Sequence, residues 1–395
     1  MSTNKTNKKQ SITTKLSHAG SAPNDFYGLV NPPVHRASTI IFDTYNDFQA
    51  CFEAPYRYGR EATPTSDAFT DAISSLDDAY GSVATPSGLS AINASVMAFV
   101  TQGDHILVPD NVYGFARVFF DDTLAKMGVT TTYYDPLEAQ DVLQARITDK
   151  TALIYLEAPG SITYEVPNLK EMIALAQTHD LVTVIDNSWA TPINLSPLAL
   201  GIDISIMSAT KYINGHSDIM LGVCSCRTEE VYLKLRKFTR QMGICAGSEE
   251  LYLGLRGLRT LDVRLRQHAE NGLRLATWLQ SHPAVKEVRH PALSSCPGHD
   301  HWKETFNGYS GVFAVILKET NPDKINTCLN AFKLFKMGFS WGGYESLIFP
   351  EQPTAARTVN PWNPDDGFIL RIHAGLEDID ELHADLENAL NQLSS

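Results

Sequence analysis

The sequence predicts an α/β protein, a doubly wound and mainly parallel sheet followed by a smaller α+β region, and three observations carry that prediction. Short, almost continuous apolar runs recur at residues 106–108, 130–133, 152–156, 182–185 and 204–207, as strands buried on both faces must read. Amphipathic segments alternate with them, at 87–100 behind a Ser87 cap, at 114–127 ahead of Gly128, and at 169–178. At 395 residues the chain is also longer than one core usually supports, so two domains are expected.

Taken in order, residues 1–60 carry Pro32, Pro33 and Pro55 and little periodicity, which predicts an extended N-terminal arm that needs somewhere to bind. Residues 61–255 hold the alternating elements and form the sheet domain. From Ser248 the pattern LYLGLRGLRTLDVRLRQHAENGLRLATWL predicts one long connecting helix. It leads into a C-terminal domain, 256–395, with shorter strands and helices at 312–317, 325–332, 368–372 and 379–393. The chain shows no internal repeat and no low-complexity stretch.

Composition narrows the function. Thirty-two basic against 45 acidic side chains give a net charge of −13, which repels nucleic acid and anionic membranes and favours a small-molecule substrate. Six cysteines are too few for a disulfide scaffold. Strand alternation in MLGVCSC sets Cys224 and Cys226 on one face as core thiols. Cys296, His299 and His301 in SCPGHDH lack a second cluster that would close a zinc site, so they read as a polar loop. The start, MSTNKTNKKQSITTKLS, has no apolar stretch behind its lysines, and no run approaches the roughly 20 apolar residues of a membrane helix. A soluble, cytoplasmic protein is expected.

Neither G-x-G-x-x-G nor a P-loop occurs, which weighs against dinucleotides and nucleoside triphosphates. Ser87-Gly88-Leu89 instead opens a helix with a glycine where an anion can approach the free N–H groups. Asp186 follows the buried run LVTVI and stands at a strand's carboxyl end, where open α/β sheets bind ligands. Lys211 closes DISIMSATK, between the Ser208 and Thr210 hydroxyls and the next turn. A phosphate cradle, a carboxylate for a ring nitrogen and a lysine for an aldehyde are together what pyridoxal phosphate requires.

Here the residues resemble a known family. SATKYINGHSDIMLG, residues 208–222, is similar to the lysine signature of the Cys/Met-metabolism pyridoxal-phosphate enzymes, which have fold type I. The likeness runs through Tyr58-Gly59-Arg60, Thr63-Pro64-Thr65, SGL at Ser87, NVYG at Asn111, VIDNSWATP at Val184, FSWGGYESL at Phe339 and RIHAGLED at Arg371. It implies that Lys211 binds the cofactor covalently and then moves the Cα proton, and that Asp186 keeps the pyridine nitrogen protonated. It implies that Tyr113 stacks on the ring and serves as the acid for the departing thiolate. Ser87, Gly88, Leu89, Ser208 and Thr210 would hold the phosphate. Tyr58 and Arg60 would reach the phosphate of a neighbouring subunit, giving the arm its binding place in a homotetramer built as a dimer of dimers. Arg371, backed by Ser340 and Trp341, would clamp the substrate α-carboxylate.

Within the family, Trp341 after Ser340 and the Thr63 before Pro64 resemble the bacterial β-lyase branch. This implies cleavage of L-cystathionine at its Cβ–S bond to homocysteine, pyruvate and ammonia, the alternative being a γ-lyase or a cysteine or homocysteine desulfhydrase. One departure stands out. Glu61 takes the place of a second arginine that many such β-lyases turn to the substrate's distal carboxylate, which leaves Arg117 as a candidate substitute.

Overall fold

The computed structural model describes residues 10–351, 353 and 357–393. Seven strands, β1 (Gly81–Thr85), β2 (His105–Pro109), β3 (Thr130–Tyr134), β4 (Thr151–Glu157), β5 (Val182–Asp186), β6 (Ile204–Ser208) and β7 (Gly222–Cys226), form one sheet. Their order is β1-β7-β6-β5-β4-β2-β3. The run from β6 to β3 is parallel, as helical crossovers require, and β7 lies antiparallel between β1 and β6. All five expected parallel strands stand within one residue of their expected ends. Cys224 and Cys226 are buried in the same apolar cluster, on the face that alternation assigned them.

The helices depart more. Helix Gly88–Met97 is shorter than the expected 87–100, with Ser87 capping it through the Ser90 N–H at 3.1 Å. The expected helix 114–127 is a helix over Gly114–Val118 that widens to π geometry over Phe119–Leu124 and ends before Gly128, whose φ of +82° needs a glycine. The long helix predicted from Ser248 is two helices, Ser248–Leu258 and Leu261–Leu279. The break has a local cause: the Gly257 carbonyl accepts from the Arg264 guanidinium at 2.8 Å, and Thr260 Oγ1 takes the Arg264 Nε hydrogen at 3.1 Å.

A second sheet, ordered β10-β11-β12-β9-β8, is built from β8 (Val285–Arg289), β9 (Val312–Leu317), β10 (Lys336–Met337), β11 (Leu347–Glu351) and β12 (Phe368–His373). Helix His299–Thr305 replaces the second half of the loop expected at 296–301, while Cys296 is buried with Sγ against the Tyr164 carbonyl. The two sheets are tied near the carboxyl edge of the first, where Trp189 Nε1–H donates to the Val312 carbonyl at 2.9 Å.

Residues 10–60 are only partly an arm. Helix Ile12–His18 packs Leu16 into the main core, and Arg259 holds the Leu16 and Ala19 carbonyls, each at 2.8 Å. Beyond it Tyr27, Val30, Ile41, Tyr45 and Phe52 are exposed. The lysines of residues 1–9, on which part of the no-signal expectation rests, lie outside the described residues. Among the described residues, no helix is long and apolar enough to cross a membrane.

Candidate active site

Parallel strands deliver their last residues to one edge, and this edge collects charge. Glu157 ends β4 and Asp186 ends β5, as register partners. Asp186 Oδ1 accepts from the Ser188 N–H at 2.9 Å, and Ser188 Oγ accepts from the Ser208 N–H at 2.7 Å, so one serine links β5 to the end of β6. Burial raises the Asp186 carboxyl above its usual range. Glu157 is buried and raised much further, by burial first and by Asp186 second.

The turn after β6 carries Lys211. Its Nζ donates to Ser340 Oγ at 2.7 Å and lies 5.3 Å from the Trp341 ring centre. Burial, together with the nearby Arg371 cation, pulls the ammonium down to about 8 against the pull of Asp186. Thr210 ties the turn down, its hydroxyl donating to the Leu221 carbonyl at 3.1 Å and accepting the Leu221 N–H at 2.9 Å. From below, Arg264 donates to the Tyr212 and Ile213 carbonyls at 2.8 and 3.3 Å. Facing Lys211, Arg371 of β12 donates to the Phe339 carbonyl at 2.9 Å and stacks 4.7 Å from the Phe349 ring. The structure thus brings Lys211, Asp186, Ser340, Trp341 and Arg371 to one place from both sheets.

Tyr113 starts helix Gly114–Val118, is 38% exposed, and is held by its own N–H, which donates to Glu157 at 2.8 Å. Its phenol is raised by burial and by the neighbouring Asp186 and Glu157 charges. Gly88 meets Ser208 so closely that a Cβ would lie 2.7 Å from the serine Cβ and Oγ. This contact brings the helix that Ser87 caps, with Leu89 in its first turn, against the end of β6. Tyr58 and Arg60 are exposed, and Arg60 donates to the Arg240 carbonyl at 2.8 Å, outside the contacts of Lys211.

The substitute role expected of Arg117 fails on geometry. Arg117 is buried against Asp110 at 3.0 Å, lies 3.6 Å over the Tyr133 ring and donates to Thr358 Oγ1 at 2.7 Å, so its charge is committed to the scaffold. Glu61 pairs with Arg57 at 2.8 Å and with Arg240 at 3.7 Å, which holds its carboxyl below the usual range and leaves it no role as a lone anion. Sequence reasoning also passed over Glu157 and Arg264. Glu157 had a signal, since it ends the apolar run 152–156 as Asp186 ends its own; Arg264 had none beyond its place on a helix.

The sequence model of the Cys/Met metabolism PLP-dependent enzymes matches residues 13–391. The chain belongs to that family. This Cys/Met-metabolism enzyme is 40% identical over 387 residues to the cystathionine β-lyase of Escherichia coli (strain K12), covering 95% of this chain and 97% of the relative. It is 36% identical over 402 residues, 98% of each chain, to the L-alanine/L-glutamate racemase of Wolbachia pipientis wMel. The solved cystathionine γ-synthase of Xanthomonas oryzae pv. oryzae, in complex with aminoacrylate and cysteine, superposes with a TM-score of 0.89 at 28% identity, covering 98% and 99%. The fold is therefore fold type I and the cofactor pyridoxal phosphate. The residues fit it: an amine already lowered to about 8, a part-buried carboxylate at the end of the neighbouring strand, and a helix start that Gly88 lets close onto Ser208 at the end of β6.

Proposed function

We propose that this enzyme is a carbon–sulfur β-lyase that cleaves L-cystathionine to homocysteine, pyruvate and ammonia. The observation that carries the reading is the wall of Ser340 and Trp341 set directly across the Lys211 amine. Bound pyridoxal phosphate supplies an electron sink for the charge left at Cα. Lys211 would hold it through Nζ and carry the Cα proton; an amine near 8 has a far larger neutral fraction at physiological pH than an ordinary lysine. Asp186 would pair with the protonated ring nitrogen, which offsets the cost of burying its charge. Ser87, Gly88, Leu89 and Ser208 would receive the phosphate, with Thr210 keeping their turn closed. Arg371 would turn from the Phe339 carbonyl to clamp the α-carboxylate, and Tyr113 would protonate the departing sulfur.

The same reading makes the enzyme a homotetramer, a dimer of dimers. Tyr58 and Arg60 would serve a neighbour's phosphate, and the exposed apolar residues between 27 and 52 would be covered by that neighbour.

The test is product analysis of the purified enzyme on L-cystathionine, with L-alanine as a parallel substrate. Pyruvate and homocysteine in equal amounts are expected. Mainly 2-oxobutyrate would make it a γ-lyase, and racemised alanine without cystathionine cleavage would align it with the Wolbachia relative; either overturns the proposal.

A further inference from the structure

Two buried histidines stand behind the wall that Ser340 and Trp341 form, and the chemistry above uses neither. His373 ends β12, two residues after Arg371, and is 1% exposed. Its Nε2 lies 3.1 Å from the Gly342 amide nitrogen and 3.0 Å from the Gly343 carbonyl oxygen, so it can accept from the first or donate to the second. His268 lies one turn after Arg264 on helix Leu261–Leu279 and is wholly buried. Its Nδ1 is 2.9 Å from the Ala374 carbonyl oxygen. A carbonyl only accepts, so Nδ1 of His268 carries the hydrogen and its Nε2 is a bare acceptor. That Nε2 and the Nδ1 of His373 have no hydrogen-bond partner among the described residues, and the two ring centres are 5.1 Å apart.

We propose that His373 is a positioning residue: it holds the Ser340–Gly343 loop against Lys211, in the tautomer with hydrogen on Nδ1, and His268 fixes that tautomer from behind. One assignment then serves the Gly342 N–H and both rings, and leaves the Gly343 carbonyl without a hydrogen from His373. Gly342 N–H donates to His373 Nε2, His373 Nδ1–H serves His268 Nε2 through one water, and His268 Nδ1–H serves Ala374. Burial keeps both rings neutral, lowering His268 to about 4 and His373 well below its ordinary value.

The loop's position matters because it rests on the lysine's own backbone. Gly342 has a φ of +86°, and a Cβ there would lie 2.9 Å from the Tyr212 nitrogen and 3.1 Å from the Lys211 Cα. A shift of Gly342 therefore carries Ser340 Oγ away from Nζ and Trp341 away from the amine. The inference rests on the reading of Lys211, Ser340 and Trp341 as one site.

The test compares three variants of the holoenzyme. His373→Gln reaches about as far as Nε2, His373→Asn reaches only to Nδ1, and His373→Phe keeps the ring without an acceptor. Besides kcat and KM, two readouts follow the loop: the pH midpoint of the visible absorption of the cofactor held by Lys211, and acrylamide quenching of Trp341, obtained by difference against Trp341→Phe. Asn and Phe should shift the midpoint, open Trp341 to the quencher and lower kcat on the order of tenfold with KM nearly unchanged. Gln should stay within about twofold of wild type on each readout. Asn and Gln behaving alike overturns the proposal, as does a folded Phe variant with wild-type midpoint and quenching. If Phe does not fold, the Gln and Asn pair decides alone. Midpoint and quenching do not depend on which amino acid is cleaved, so these outcomes are separate from the fate of the cystathionine reading.

Discussion

Glu157 and Asp186 stand side by side at the carboxyl ends of β4 and β5, and both carboxyl groups are held above the ordinary carboxylate range. Two such neighbours cannot both be charged cheaply away from water. The deeper one, Glu157, is pushed further towards its neutral form and still accepts the Tyr113 N–H, so it sets the place of a candidate catalytic phenol while Asp186 is better placed to carry charge.

The first prediction follows from that division. With its carboxyl raised well above the ordinary 4.5, Glu157 holds its proton to higher pH in the fold than in the unfolded chain, so the wild type loses stability as pH climbs above 4.5. Glu157→Gln removes this loss. Urea unfolding should find the variant gaining on the wild type between pH 5 and pH 8, whereas Glu157→Ala, which strands the Tyr113 N–H, should lie on the order of 2 kcal/mol below Glu157→Gln at both. A pH-independent difference for the Gln variant would show that Glu157 is ionised in the fold.

The second concerns Lys211. Only the neutral amine attacks an aldehyde, so in protein stripped of cofactor the rate of pyridoxal phosphate capture should rise with pH and level off above about 8. Lys211→Ala should capture none covalently and show no turnover. Arg371→Gln removes a cation that helps lower Lys211, so its plateau should move to higher pH. Stopped-flow absorbance across pH 6 to 10 reads all three; a wild-type plateau near an ordinary lysine value would contradict the buried setting of Nζ.

The third separates scaffold from specificity. Asp110 accepts from Arg117 at 3.0 Å and from the Thr358, Val359 and Asn360 N–H groups at 2.9 to 3.0 Å, and it pairs with Arg357 at 3.5 Å. Removing one member of a buried charge cluster costs about 3–5 kcal/mol. Arg117→Ala and Asp110→Asn should therefore lower the thermal midpoint. Any change in kcat/KM should be equal for cystathionine and for an amino acid lacking the distal carboxylate. A loss confined to cystathionine would return Arg117 to substrate recognition.

Much of this arrangement was legible beforehand, for identifiable reasons. The parallel strands announce themselves because both faces are buried, and Asp186, Ser208 and Lys211 sit where those runs stop. β1 was hidden because GSVAT has no apolar run, and β8 and β11 because VKEVR and LIFPE mix charge and proline into short strands. The connecting helix was overread since Leu261 continues the apolar period of Leu258, and only the folded partner Arg264 shows why Gly257 stops it. Arg117 was misread for a similar reason: its commitment to Asp110 and Thr358 spans 7 and 241 residues, and the longer contact leaves no mark in spacing.

The last prediction concerns which carbon–sulfur bond breaks. In β-elimination the charge left at Cα already neighbours the Cβ–S bond, so the pocket needs only to align that bond and protonate the sulfur. In γ-elimination a further proton leaves Cβ, and the substrate must swing until Cγ–S occupies the reacting position. On the proposed reading, Trp341 would stand where that swing occurs. Its ring lies 5.3 Å from Nζ of Lys211 and 5.4 Å from the buried Tyr212 ring, on a loop seated against the lysine backbone, so it cannot give way without moving the catalytic amine. Trp341→Leu opens space at that point while leaving Ser340 and Arg371 in place. Cystathionine carries both bonds in one molecule, so the ratio of 2-oxobutyrate to pyruvate reads the choice directly: it should be low for the wild type and rise several-fold for Trp341→Leu, as the loss of part of a side-chain wall worth about 1–3 kcal/mol would produce. An unchanged ratio in a folded, cofactor-loaded variant would remove Trp341 from the explanation and leave bond choice to the groups that bind the distal end.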